Sequence, residues 1–175
     1  DIVKVGIGQG SPCTTKDKTG FTMPMFSCIL KCSQVSFSRE DGFMISNAST
    51  IEDFDIPAKV PIIADGGIRC NGDIAKAIRA GACMVMAGSL FASCSDSPAS
   101  VIEIEGVKHK AYFGSASAEN KGHNNHIEGK LNKLASNGMS YGEKLNEITQ
   151  DLQSSISYSG GLNLLSIKDV EYEEV

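Results

Sequence analysis

Long apolar runs are missing: no stretch approaches the roughly 20 residues that a bilayer-spanning helix needs. The first residues carry no charged region followed by an apolar segment, so the expectation is a soluble protein of the cytoplasm. Basic residues are not in excess. Sixteen Lys and Arg stand against 21 Asp and Glu, a net charge of −5, which removes the electrostatic reason to expect a nucleic-acid ligand. Any phosphate would have to be held by local groups. Internal repeats are also absent. The six cysteines come without a secretory signal, so no disulfide framework is expected and most read as buried thiols. Cys28 and Cys32 with His123 and His126 sketch a zinc set, but Cys-x3-Cys followed about 90 residues later by His-x2-His matches no usual zinc spacing.

What is present suits one α/β or α+β domain: 175 residues, 41% of them hydrophobic. Residues 1–6 read as a strand that runs straight into glycines. Val60–Ala64 reads as a second strand ending at Asp65-Gly66-Gly67, followed by a helix from about Gly72 to Ala80 with Ile74, Ala75 and Ile78 on one face. A third strand, Cys83–Ala87, ends at Gly88-Ser89. The later two strands are almost wholly apolar, as in a parallel sheet covered on both faces. From Ser93 to about Gly142 the chain is polar and without sustained periodicity, the pattern of a long functional or mobile loop. Helical spacing returns over Tyr141–Ser157 and stops at Gly160-Gly161. A short amphipathic stretch, Leu162–Ile167, and an acidic tail close the chain.

Each apolar strand ends in a glycine-bearing turn, and in parallel α/β folds that end of the sheet holds the ligand. Glycines there let backbone N–H groups approach phosphate oxygens, which makes Ser11, Gly67, Gly88 and Ser89 candidate phosphate contacts. The first turn is not a dinucleotide fingerprint, because Ser11 stands where the third glycine of Gly-x-Gly-x-x-Gly belongs. It carries a thiol instead. Cys13 lies beside Thr14, Thr15 and amides able to stabilise a thiolate. A buried structural cysteine is the alternative, and the polar Gly/Thr loop argues against it. Asp65 at a strand end suits a ribose diol; the alternative, a helix cap, is weakened because Asn71 and Gly72 lie nearer the helix start.

Val5-Gly-Ile-Gly-Gln-Gly-Ser-Pro-Cys-Thr-Thr15, Pro61-Ile-Ile-Ala-Asp-Gly-Gly-Ile-Arg69, Gly72–Ala82 and Val85–Ala92 resemble, in order, the signatures of the IMP dehydrogenase/GMP reductase family. Tyr112-Phe-Gly-Ser-Ala-Ser117, Ile127-Glu-Gly-Lys130 and Asp151–Gly161 continue the likeness. The resemblance implies an α/β fold, a (β/α)8 TIM barrel of which residues 1–175 would be the C-terminal half, about strands 6 to 8, with a mobile active-site flap over 93–142. The first five strands would come from the same or a separate chain, since a three-stranded remnant leaves open edges and apolar faces. It also implies Cys13 as nucleophile toward the purine C2 and Thr15 as a proton-transferring hydroxyl. Ser11, Gly67, Gly88, Ser89 and Tyr112 would contact phosphate, Asp65 the ribose, and Gly114, Ser115 and Ala116, with Lys130 nearby, the rest of the nucleotide. Carbonyls of Gly8, Gly10 and Cys13 match those that bind a monovalent cation, K+, in the family.

Between Ala118 and Ile127 the chain lacks the adjacent Arg-Tyr pair that IMP dehydrogenases use to activate water. The likeness therefore turns toward GMP reductase, with Glu128 paired to Thr15, NADPH as cofactor, GMP and IMP as ligands and a homo-tetrameric assembly. An IMP dehydrogenase with a divergent flap and an inactive purine-nucleotide-binding remnant are the alternatives. Residues 33–58 read as a polar surface insertion.

Overall fold

A computed structural model describes residues 2–34 and 60–173. Strands β1 (Val3–Val5), β2 (Ile62–Asp65) and β3 (Met84–Met86) form a parallel sheet in the order β1-β2-β3, with Val5, Ala64 and Val85 in one row and Asp65 opposite Met86. Alternation divides the strands into two faces. Val5, Ile62 and Ala64 are buried beneath helices α2 (Met25–Ser33) and α3 (Asn71–Ala80), whose Cys28, Ile29, Ile74, Ala77 and Ala80 complete the core. The opposite face carries Lys4, Ile63, Asp65, Met84 and Met86, and Met84 is 58% exposed. The expectation of cover on both faces therefore holds for one face only among the described residues.

Helix α3 starts where Asp73 accepts the Arg69 and Cys70 amides at 2.9 and 3.3 Å. Its N-cap is Cys70, not Asn71 or Gly72, because the Asp73 carboxylate three residues on closes a capping box around it. The side chain of Asn71 turns outward to α6 (Tyr141–Tyr158) and donates to Glu147 and Asp151 at 3.2 and 2.6 Å. Ser140 and Glu143 cap α6 reciprocally. The helix packs outside α3 with a 3-10 helix, Leu164–Asp169, where the last amphipathic stretch was expected. Beyond it Tyr172 sets its ring edge-on to Phe26, with the Arg79 guanidinium 4.7 Å above its centroid.

Residues 93–142 are not the structureless loop their composition suggests. After helix α4 (Ser89–Ala92), strands β4 (Val101–Ile104), β5 (Val107–Tyr112) and β6 (Asn132–Ala135) form an antiparallel sheet, with helix α5 (Ala118–Lys121) between the last two. Half-buried Ile102 and Ile104 alternate with exposed Val101 and Glu103, and the Glu105-Gly106 turn has φ of 52° and 77° at its two residues, as a tight hairpin requires. The buried ammonium of Lys110 ties the sheet to the α4 exit, donating to the carbonyls of Ser95, Ser97 and Ala99 at 2.9, 3.0 and 3.5 Å.

Of the six cysteines only Cys28 and Cys94 are buried, while Cys70 and Cys83 are exposed. Burial and the neighbouring Cys32 raise the Cys28 thiol above the ordinary cysteine value. Among the described residues no three His, Cys, Asp or Glu side chains converge as a metal site, and no helix is long and apolar enough to cross a membrane. The expected 33–58 insertion lies outside the described residues, apart from Ser33 and Gln34 at the end of α2.

Candidate active site

The loop after β1 closes on itself through the Cys13 amide, which donates to the Gly10 carbonyl at 2.9 Å, and short helix α1 (Thr15–Thr19) follows at once. Segment 128–130 runs antiparallel beside it: the Thr14 amide donates to the Glu128 carbonyl at 2.9 Å and the Lys130 amide to the Pro12 carbonyl at 2.8 Å. This bridged segment is in turn fixed to 116 by the Glu128 amide, 3.1 Å from the Ala116 carbonyl. The alignment brings together side chains distant in sequence. The half-buried Cys13 thiol donates to the Thr15 hydroxyl at 3.2 Å, and that hydroxyl donates to the Glu128 carboxylate at 2.6 Å. Sulfur, hydroxyl and carboxylate thus form an unbroken line for a proton.

A second group gathers at the ends of β2 and β3. The carboxylate of Asp65 is not a helix cap; it pairs with the Lys4 ammonium at 2.9 Å. Gly66 and Gly67 have φ of 88° and 77°, a left-handed turn that side chains disfavour. A Cβ on Gly66 would also stand 3.1 Å from the Gly10 amide nitrogen, so the turn packs directly on the Cys13 loop. Tyr112, at the end of β5, lays its hydroxyl against Gly88, where a Cβ would lie only 1.8 Å from that oxygen. Burial, together with the nearby Asp65 charge, raises the Tyr112 phenol above its ordinary value. It is a hydrogen-bond donor at neutral pH.

Between the Cys13 loop, residues 67–69 and the first turns of α2 and α3 opens a cleft of about 680 Å3. Ser11, Cys13, Gly67, Ser89 and Lys130 all line it, as does the cationic trio Lys16, Arg69 and Lys76. Four cations face two acids there, Asp17 and Asp73, in a chain of net negative charge. The local excess favours an anionic ligand.

A family model described as the IMP dehydrogenase / GMP reductase domain matches residues 1–172. The chain belongs to that family. Its relatives include the GMP reductase of Staphylococcus epidermidis, 45% identical over 174 residues that cover 98% of this chain and 46% of the relative. That of Acidovorax sp. is 45% identical over 180 residues, covering 98% and 46%, and that of Chromobacterium violaceum 43% over 175, covering 100% and 48%. The chain spans about half the length of the curated relatives it matches.

Within this family member most of the residues singled out by sequence fall into three places. Cys13, Thr15 and Glu128 form the proton line; Ser11, Gly67, Ser89 and Lys130 line the cleft with Cys13; Asp65, Gly88 and Tyr112 cluster at the neighbouring strand ends. Gly114, Ser115 and Ala116 do not line the cleft. They form a turn behind segment 128–130, in which the Ser117 amide donates to the Gly114 carbonyl at 3.1 Å and the Asn120 side chain donates to the Ser115 carbonyl at 3.1 Å. Gly8 is buried in the first loop beside Thr22. Sequence reasoning missed Lys4, Lys16, Arg69, Lys76 and Asn132. Lys4 was readable in principle, as the one polar residue of β1, but no local pattern marks Asn132, which reaches Ser11 from 121 positions away.

Proposed function

We propose that this chain is the nucleophile-bearing part of a GMP reductase, which converts GMP to IMP and ammonia with NADPH as reductant. The observation that carries the reading is the line from Cys13 through Thr15 to Glu128 at the edge of a cationic cleft. The Cys13 thiol passes its proton to Thr15, which releases its own to Glu128, leaving a thiolate and a carboxylic acid. The thiolate adds to C2 of the purine. Glu128 then returns the proton through Thr15 to the departing amine, the C2–N bond breaks, and ammonia leaves a thioimidate on Cys13. Covalent catalysis divides one difficult displacement into two easier steps.

A bound nicotinamide cofactor would supply the hydride for C2, and cleavage of the C–S bond would then return the thiolate to Cys13. Cys13 lines an open cleft, so a planar ring has access to a carbon held on its sulfur. NADPH rather than NADH is taken from the likeness to GMP reductases. The carbonyls of Gly8, Gly10 and Cys13 would hold a monovalent cation such as K+; the Gly10 carbonyl, which accepts the Cys13 amide, keeps a second lone pair for it. Ser11, Ser89, Gly67 and the Tyr112 hydroxyl at Gly88 hold the phosphate, and Asp65 receives the ribose diol once Lys4 yields one of its oxygens.

The same reading takes β1–β3 as strands of a (β/α)8 barrel in a cytoplasmic homo-tetramer. Among the described residues the outer edges of β1 and β3 are unpaired and Met84 and Met86 are exposed, which supports the barrel, since further strands would cover them; the tetramer and the cytoplasm are taken from the likeness to the family. Full-length enzyme given GMP and NADPH is expected to oxidise NADPH and release ammonia. Cys13→Ala abolishes turnover, and Glu128→Gln lowers kcat roughly 10²–10⁴-fold, the range of general acid–base catalysis. NADH formation from IMP and NAD without turnover of GMP would overturn the assignment in favour of an IMP dehydrogenase, and activity in Cys13→Ala would remove the covalent route.

A further inference from the structure

Ser11 is exposed on the cleft side of its loop, yet its side chain is not free to turn. The Asn132 amide spends both N–H groups on this one residue, donating to the Ser11 carbonyl at 3.0 Å and to the Ser11 hydroxyl oxygen at 2.9 Å. A hydroxyl has a single proton. With its oxygen already accepting from Asn132, Ser11 offers that proton outward, and among the described hydrogen bonds it donates to no protein atom. An outward donor suits an acceptor-only ligand such as a phosphate.

Asn132 is also placed to set the spacing of the cradle. It lies directly opposite Tyr112 in the β5–β6 ladder, and opposed residues of an antiparallel pair project from the same face. One member of the pair reaches Ser11 on the Cys13 loop; the other rests its hydroxyl on Gly88 at the start of α4. The loop and the turn therefore hang from a single cross-strand pair. The buried Lys110, two residues before Tyr112 and on the same face of β5, anchors that strand to the α4 exit.

We infer that Asn132 is a specificity-determining positioning residue, which makes Ser11 an obligate donor to the nucleotide phosphate and fixes its distance from the Gly88–Ser89 turn. The inference rests on the reading of Ser11 as a phosphate contact, given above. Its consequence is discrimination between a nucleotide and the corresponding nucleoside, exercised by a residue that need not touch either.

The test uses full-length enzyme, with KM and kcat for GMP and the inhibition constant of inosine as readouts. Asn132→Asp keeps the side chain's shape but turns its donor into an acceptor, drawing the Ser11 proton away from the cleft. KM for GMP is expected to rise about tenfold or more, the loss of one hydrogen bond to a charged group, with inosine inhibition unchanged and the effect on KM rather than kcat. Asn132→Ala, which only frees the hydroxyl to rotate, is expected to raise KM by a smaller factor and to add nothing in a Ser11→Ala background. If Ser11→Ala weakens GMP while both Asn132 variants leave it intact, the inference fails and the phosphate reading stands. Equal losses for GMP and inosine would reduce Asn132 to a structural residue and also overturn it. No effect of Ser11→Ala would remove the phosphate reading and the inference together.

Discussion

Gly88→Ala places a methyl group where the Tyr112 side chain already lies. The new Cβ would be 1.8 Å from the phenolic oxygen and 2.8 Å from the ring carbon that bears it. Ordinary carbon contacts begin near 3.5 Å, so the hydroxyl must retreat by roughly 1.5 Å. Backbone strain does not enter, because Gly88 has φ −97°, a value open to alanine. The atom displaced is the far end of one side chain, so the expected loss of stability is small, within about 1 kcal/mol. Ligand binding should suffer more. A hydrogen bond does not survive such a shift, and one made to a phosphate contributes about 1.5–3 kcal/mol, roughly ten- to a hundredfold or somewhat more in Kd. Calorimetric titration of GMP into the full-length protein should show this loss for Gly88→Ala, a comparable one for Tyr112→Phe, and no further loss in the double variant. Wild-type affinity in Gly88→Ala, or a loss there with none in Tyr112→Phe, would refute the placement of Tyr112 as a phosphate donor.

Two further outcomes test the scaffold. Lys110→Met removes a buried ammonium from three backbone carbonyls and should lower stability by about 2 kcal/mol in chemical denaturation, whereas an unchanged midpoint would mean that water satisfies those carbonyls equally well. Partial burial opposes the charge on Asp73, but the Arg69 and Cys70 amides and the Arg69 guanidinium outweigh it and hold the carboxyl below the ordinary 3.8. Its stabilising effect is therefore complete above that value and lost as pH falls through it toward the lower folded-state value. Asp73→Asn should differ from wild type in denaturation midpoint at about pH 6, and the gap should close as pH falls through the lowered folded-state value; a gap that stays constant with pH would contradict the sign.

Much of the parallel layer is legible in the sequence because local rules govern it. Apolar strands ending in glycine, and a helix with Ile74 and Ile78 on one face, need only neighbours along the chain to be recognised, and β1, β2, α3 and β3 all occur within a residue or two of where periodicity puts them. The antiparallel sheet at 101–135 escaped for a related reason. Its strands are half-exposed and polar, so alternation is weak, and the Glu105-Gly106 turn is its strongest signal. The capping of α3 by Cys70 is not legible from the residues at the helix start, because the decisive group is the Asp73 carboxylate three positions on.

The sequence by itself determined the family, the thiol at the tip of a glycine loop and the strand-end turns that surround it, all of them carried by contiguous residues. The family resemblance already implied that Glu128 pairs with Thr15, and the tertiary structure supplies the 2.6 Å contact; it alone decided that Tyr112 rests on Gly88 and that Asn132 holds Ser11. Each of these contacts joins groups some 24 to 121 residues apart. Their distance is set by the register of β5 against β6 and by the bridge between Cys13 and Gly129. Such register follows from pairing across the fold, and no spacing along the chain encodes it.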